Sequence, residues 1–223
     1  MITSLVKKLL SLFKKKKPLF KHLRAIRLKR LWNEYGMGEG RRIAVFDLPG
    51  YHGEAVTEII RRIAPKSQIL FYSWIKSNGL TQIAEQARQI LGDSQQSHID
   101  VVNMSFATGD TREFREAIKN LYDNKTILVA ASGNDPKYSY YPASYVEYVI
   151  STGSLNHKTG KISPFTSEPY EIAAPGEYIR GLDGQGTSFA SPHIAGIAAL
   201  MMSKIPFYQI ESKIIEWLWE KDE

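Results

Sequence analysis

The chain of 223 residues is long enough for one domain with a substantial core, and 43% hydrophobic against 23% charged residues is the balance of an ordinary globular protein. It has no cysteine, which excludes disulfides, thiolate metal sites and a cysteine nucleophile. The net charge of +6 is uneven: residues 1–42 hold 13 Lys/Arg against 2 Asp/Glu, and the remainder 16 against 21, so the basic character belongs to an N-terminal arm and points to an acidic partner surface.

Residues 2–13 set Ile2, Leu5, Val6, Leu9, Leu10 and Phe13 at helical spacing, with lysines on the other face. This reads as a short basic amphipathic helix for an anionic membrane, or as an arm that packs on its own body; nucleic acid is the lesser candidate partner. No run approaches the roughly 18 apolar residues of a membrane span. Lys14 to Lys17 stand where a signal peptide would place small residues. The expected location is therefore intracellular, peripheral to a membrane. Pro18 ends the first pattern. Residues 19–33 are again basic and amphipathic, and the glycines at 36, 38 and 40 read as a linker. The expected division is an arm over 1–41, as a targeting segment or propeptide remnant, and a body over 42–223.

From Arg42 short apolar runs alternate with helical patterns. Strands are expected at 43–46, 69–74, 99–104, 126–131 and 146–152. Helices are expected at 52–63, 81–91, 111–123 with Asp110 as cap, 188–203 and 206–219. Such alternation argues for an α/β fold: three layers, α/β/α, around a mostly parallel central sheet.

The most informative stretch is Gly186-Thr187-Ser188-Phe189-Ala190-Ser191-Pro192-His193-Ile194-Ala195-Gly196. A serine that opens a helix lies near unpaired N–H groups and the positive helix end, both of which favour a developing oxyanion. Pro192 is placed in the early helix, where a missing N–H costs little. Taken alone, Thr187 or Ser188 is equally a plain helix cap. Ala131-Ser132-Gly133-Asn134 ends an apolar strand, and by itself reads as a turn. Asp47 ends the strand Ile43–Phe46, at the functional edge of an α/β sheet. His52-Gly53 opens a helix after Leu48-Pro49-Gly50-Tyr51.

In this order and company the four segments resemble the subtilisin-like serine proteases, whose nucleophile pattern is Gly-Thr-Ser-x-Ala-x-Pro. Val101–Phe106, Tyr141-Pro142-Ala143 and Ala173-Ala174-Pro175-Gly176 are also similar to family segments, so that the resemblance covers about residues 42–206. It implies a triad of Asp47, His52 and Ser188, with Asn134 as the oxyanion donor. It implies substrate contacts along Ser105, Phe106, Ala107, Ala131, Ser132 and Gly133. His193 is read as structural. The chain departs from the family in the short Asp47–His52 connection, in Glu54, Ala55 and Thr57-Glu58 after the histidine, and in Ala107 where glycine is usual. The stretches 52–65 and 74–81 are also short. Loops that hold structural calcium in relatives are expected to be missing, and no cofactor or metal is expected.

The function implied is a serine endopeptidase acting on protein or peptide substrates through an acyl-enzyme. The alternative is a catalytically inactive binding or assembly protein of the same fold, anchored by its basic arm. A module whose main business is the arm itself is the other rival.

Overall fold

The computed structural model describes residues 25–74 and 79–219. The amphipathic pattern of residues 2–13, and Pro18 after it, lie outside them. The elements run α1 (Ala25–Tyr35), β1 (Arg42–Asp47), α2 (Tyr51–Ile63), β2 (Gln68–Ser73), α3 (Gly79–Gln96), β3 (Val101–Met104), α4 (Arg112–Asp123), β4 (Ile127–Ala131), β5 (Val149–Asn156), β6 (Lys161–Ile162), β7 (Ile172–Glu177), α5 (Thr187–Met201), a 3-10 turn (Phe207–Gln209) and α6 (Ile210–Trp219).

The sheet order is β2-β1-β3-β4-β5-β6, with β7 also paired to β5. Every pairing is parallel except the short β5–β6 hairpin. The chain leaves β1 to one side for β2 and returns to its other side for β3, so β1 sits where the strand order reverses. In open α/β sheets that is where the carboxyl ends of strands leave a crevice.

Side chains alternate across the strands and divide the core into two layers. Ile43, Val45, Val101, Ile127 and Val129 join α1, α2, α5 and α6 on one face. Ala44, Phe46, Val102, Met104, Leu128 and Ala130 join α3 and α4 on the other. By the same alternation Asp47 and Asn103 face the α2/α5 layer. In α4, Phe114, Ala117, Ile118 and Leu121 repeat at 3–4-residue spacing and are buried. Its cap is Thr111, whose side chain accepts from Phe114 N at 3.2 Å. Asp110, the expected cap, instead accepts from Tyr145 Oη at 2.7 Å and pairs with Arg115.

α5 is apolar nearly all round and buried along its length, which is the signature of a central helix. Its close packing on α2 depends on Gly196: a Cβ there would stand 2.7 Å from Ile63 Cβ. α1 lies within the stretch expected as an arm, yet Leu31 is fully buried and Tyr35 nearly so. Trp32 Nε1 donates to Ile63 O at 2.8 Å, and Ser203 Oγ to Tyr35 O at 2.7 Å. The glycines at 36, 38 and 40 form a hydrogen-bonded turn between α1 and β1, with Arg41 N on Gly38 O and Lys66 N on Met37 O. No helix among the described residues is long and apolar enough to cross a membrane.

Candidate active site

Three elements deliver the site: the carboxyl ends of β1 and β4 and the start of α5. Asp47 closes β1 and is fully buried. Its Oδ1 accepts from Leu48 N at 2.7 Å and faces His52 Nδ1 at 3.0 Å. Its Oδ2 is buried with no hydrogen-bond partner among the described residues. The four residues from Leu48 to Tyr51 suffice to turn the chain from β1 into α2, where His52 is the second helical residue. Nδ1 is thus committed to the carboxylate and Nε2 is left for another partner. The imidazole lies against Phe189, with ring centroids 5.8 Å apart, which sets it beside the start of α5. Tyr51 Oη is bonded to both N and O of Asp183, at 2.6 and 3.1 Å, and ties α2 to the loop that leads into α5.

Ser188 is half-buried in the first turn of α5. Asn134 follows β4 and is exposed. Its Oδ1 accepts from Thr187 N at 2.8 Å and from Thr187 Oγ1 at 3.0 Å, so the amide is oriented with Nδ2 outward. Thr187 Oγ1 in turn accepts from Gly133 N at 3.1 Å. Gly186, at φ 155°, is needed here twice over. A Cβ on it would stand 3.0 Å from Asn134 Nδ2 and 3.3 Å from Ser188 Oγ, so these two atoms border the same space. A fixed neutral donor beside a helix-start hydroxyl is an arrangement that can stabilise an oxyanion forming on a carbonyl which that hydroxyl attacks.

Ser105 lies directly behind the serine. Its Oγ donates to Ser188 O at 2.9 Å and accepts from Asn103 Nδ2 at 2.9 Å. With its one proton spent, the 2.9 Å contact to Ser191 Oγ requires Ser191 to be the donor. Pro192 is the sixth residue of α5, beyond the first turn, and its missing N–H is the helical partner that Ser188 O would otherwise have. Ser105 fills that gap. The signal in the sequence was a set of small polar residues, Asn103, Ser105, Thr187 and Ser191, inside apolar runs.

Of the six residues expected along the substrate edge, Ser105, Phe106, Ala131, Ser132 and Gly133 are buried and Ala107 is exposed. Phe106 turns inward, with its ring centroid 4.9 Å from Phe46 and 5.4 Å from Trp74. His193 is buried and its Nδ1 donates to Phe189 O at 2.9 Å. Burial, with Arg62 and His157 adding to it, lowers its pKa to about 4, so it is a neutral structural residue at physiological pH. Among the described residues no three His, Asp or Glu side chains are grouped so as to hold a metal ion.

With this geometry in hand, comparison with known proteins is direct. The profile of the Subtilase family matches residues 50–219. The chain is 31% identical over 192 residues to the major intracellular serine protease of Bacillus subtilis, covering 77% of this chain and 56% of that protein. It is 33% identical over 156 residues to the minor extracellular protease Epr of the same organism, covering 65% of this chain and 24% of Epr. The chain thus spans between about a quarter and just over half of the length of these relatives. Among solved structures it is similar to the prenylagaramide maturation protease PagA, with a TM-score of 0.69, 24% identity and coverage of 83% and 82% of the two chains. It is also similar to a lanthipeptide protease, with a TM-score of 0.68, 19% identity and coverage of 82% and 81%. These two likenesses bear on the fold.

Proposed function

The chain belongs to the subtilase family, and from that premise we propose that it is a serine endopeptidase with Asp47, His52 and Ser188 as its triad and Asn134 as its oxyanion donor. The observation that carries the reading is the 3.0 Å hydrogen bond from His52 to buried Asp47, made across a connection of only four residues. It holds the imidazole in one tautomer and leaves an uncompensated buried carboxylate to stabilise the imidazolium.

His52 Nε2 takes the Ser188 proton as Oγ attacks the carbonyl carbon of a peptide bond. The carbonyl oxygen becomes an oxyanion bonded to Asn134 Nδ2 and to the Ser188 N–H, which the helix start leaves unpaired. Collapse breaks the C–N bond, and the imidazolium gives its proton to the departing amine. Water, deprotonated by His52, then attacks the acyl-enzyme and releases Ser188. No metal enters these steps, and a chelator is expected to leave them unchanged.

The test is labelling by a fluorophosphonate, which phosphonylates only an activated serine. Wild type should label, and Ser188→Ala and His52→Ala should not. A folded wild type that fails to label would overturn the proposal in favour of a binding protein of the same fold.

The basic arm supports a second element of the reading, a protein that docks on anionic membranes. Residues 1–24 hold eight Lys/Arg and no acidic residue. Co-sedimentation with phosphatidylserine vesicles should fall when residues 1–20 are removed. Equal sedimentation would remove the membrane from the account.

A further inference from the structure

We propose that Tyr140 closes the subsite beside Ser188, so that the protein cleaves after small residues, glycine, alanine or serine, and rejects large ones. The proposal rests on the peptidase reading. When Ser188 Oγ is bonded to the carbonyl carbon and the carbonyl oxygen is at Asn134 Nδ2, the acyl residue's Cα is one bond from that carbon. Its side chain must then lie against the chain on either side of Asn134.

The surroundings are defined by the sheet. β3 and β4 are neighbouring parallel strands, with Met104 beside Ala130. The segments that follow them, 105–108 and 131–134, therefore leave the sheet side by side and border the space next to Asn134. Across its far end Thr108 and Tyr141 exchange two backbone hydrogen bonds, of 2.8 and 3.1 Å. The residue before Tyr141, Tyr140, is held next to the 131–134 segment.

Its ring covers the backbone of Gly133. A Cβ on Gly133 would collide with Tyr140 Cδ2 and stand 2.9 Å from its Cε2. The backbone that carries the ring is held, because Tyr140 O accepts from Ser144 N at 2.9 Å and from Ser144 Oγ at 2.8 Å. Gly133 is equally fixed, with Ser167 N donating to its carbonyl at 3.0 Å. Phe106 is turned into the core and Ser105 is bonded behind Ser188. Neither can open space by moving aside. A small acyl side chain would avoid the Tyr140 ring, whereas an aromatic one would compete with it for the space beside Gly133.

The test compares kcat/KM on two peptides that differ only in alanine or phenylalanine before the scissile bond. Wild type should favour alanine by at least about tenfold. Tyr140→Ala should shift the ratio of kcat/KM for the phenylalanine peptide over the alanine peptide upward by about tenfold or more. Tyr140→Phe, which keeps the ring, should keep the wild-type ratio. A wild type that favours phenylalanine, or a ratio unmoved in Tyr140→Ala, would overturn the proposal. Fluorophosphonate labelling scores the peptidase reading separately. If Ser188 does not label, equilibrium binding of acetylated tetrapeptides ending in alanine or phenylalanine decides the pocket: tighter binding of the alanine peptide that is lost in Tyr140→Ala upholds it, and equal binding refutes it.

Discussion

The hydroxyl of Ser105 donates to the backbone carbonyl of Ser188 at 2.9 Å, the carbonyl that Pro192 leaves without a helical partner. Two features far apart in the sequence are thereby complementary, and the first turn of α5 is held at Ser188, the nucleophile of the proposed triad. Ser105→Ala leaves Ser188 O and Asn103 Nδ2 without that bond in a buried setting. The expected cost is about 1–3 kcal/mol, read as a lower urea midpoint with an unchanged slope. An unshifted midpoint would show that both groups find other partners.

Thr187 acts on Asn134 through two hydrogen bonds and on Gly133 through a third. Thr187→Val keeps the shape and the backbone bond but loses both side-chain bonds. With the amide less firmly oriented, kcat should drop about tenfold and KM should change little. Thr187→Ser should restore the wild-type value. A change confined to KM would assign Thr187 to ground-state binding.

Removing the donor itself should cost more. Asn134→Ala is expected to lower kcat about 10²–10³-fold, the magnitude found for the asparagine donor of a subtilisin and taken over from it. The change also removes the acceptor of Thr187 N and Oγ1, so the urea midpoint of the variant is measured alongside its turnover. Unchanged turnover would remove Asn134 from the oxyanion site.

His193 predicts an acid-sensitive fold. Burial holds its folded pKa at about 4, against 6.5 for the open chain. Between those values the unfolded chain binds a proton that the folded protein does not. Its stability is therefore complete above pH 6.5 and is lost as pH falls toward 4, by on the order of 3 kcal/mol. The melting temperature of wild type should fall across this window. It should fall less steeply in His193→Asn, whose amide can still donate to Phe189 O. Parallel curves would place the acid sensitivity elsewhere.

The strands and helices that bracket the site were legible because each carries an unbroken apolar run or a clear 3–4-residue repeat. Ile43–Phe46, Ala117–Leu121 and the apolar length of α5 are of this kind. β7 was not read as a strand, since Pro175 and Gly176 are poor strand formers; its place is set by pairing with β5. α1 carried the same basic amphipathic pattern as the segment before it. Only tertiary packing separates a helix with Leu31 in the core from an arm. A shortened version of the chain should therefore begin before Ala25. At the candidate site, residue types single out Ser188, Asn134, Asp47 and His52 as candidates, but the orienting bonds of Thr187 and Ser105 need coordinates. Those bonds join segments more than fifty positions apart, and no local spacing encodes them.

Gly196 of α5 sits against Ile63 of α2. His52 starts one of these helices and Ser188 the other. The spacing of His52 and Ser188, base and nucleophile of the proposed triad, therefore depends on how the two helices pack, and a methyl group added at that contact would act as a wedge. It would push the two helix starts apart and widen the gap between His52 and Ser188 from more than two turns away, with neither of those residues itself altered.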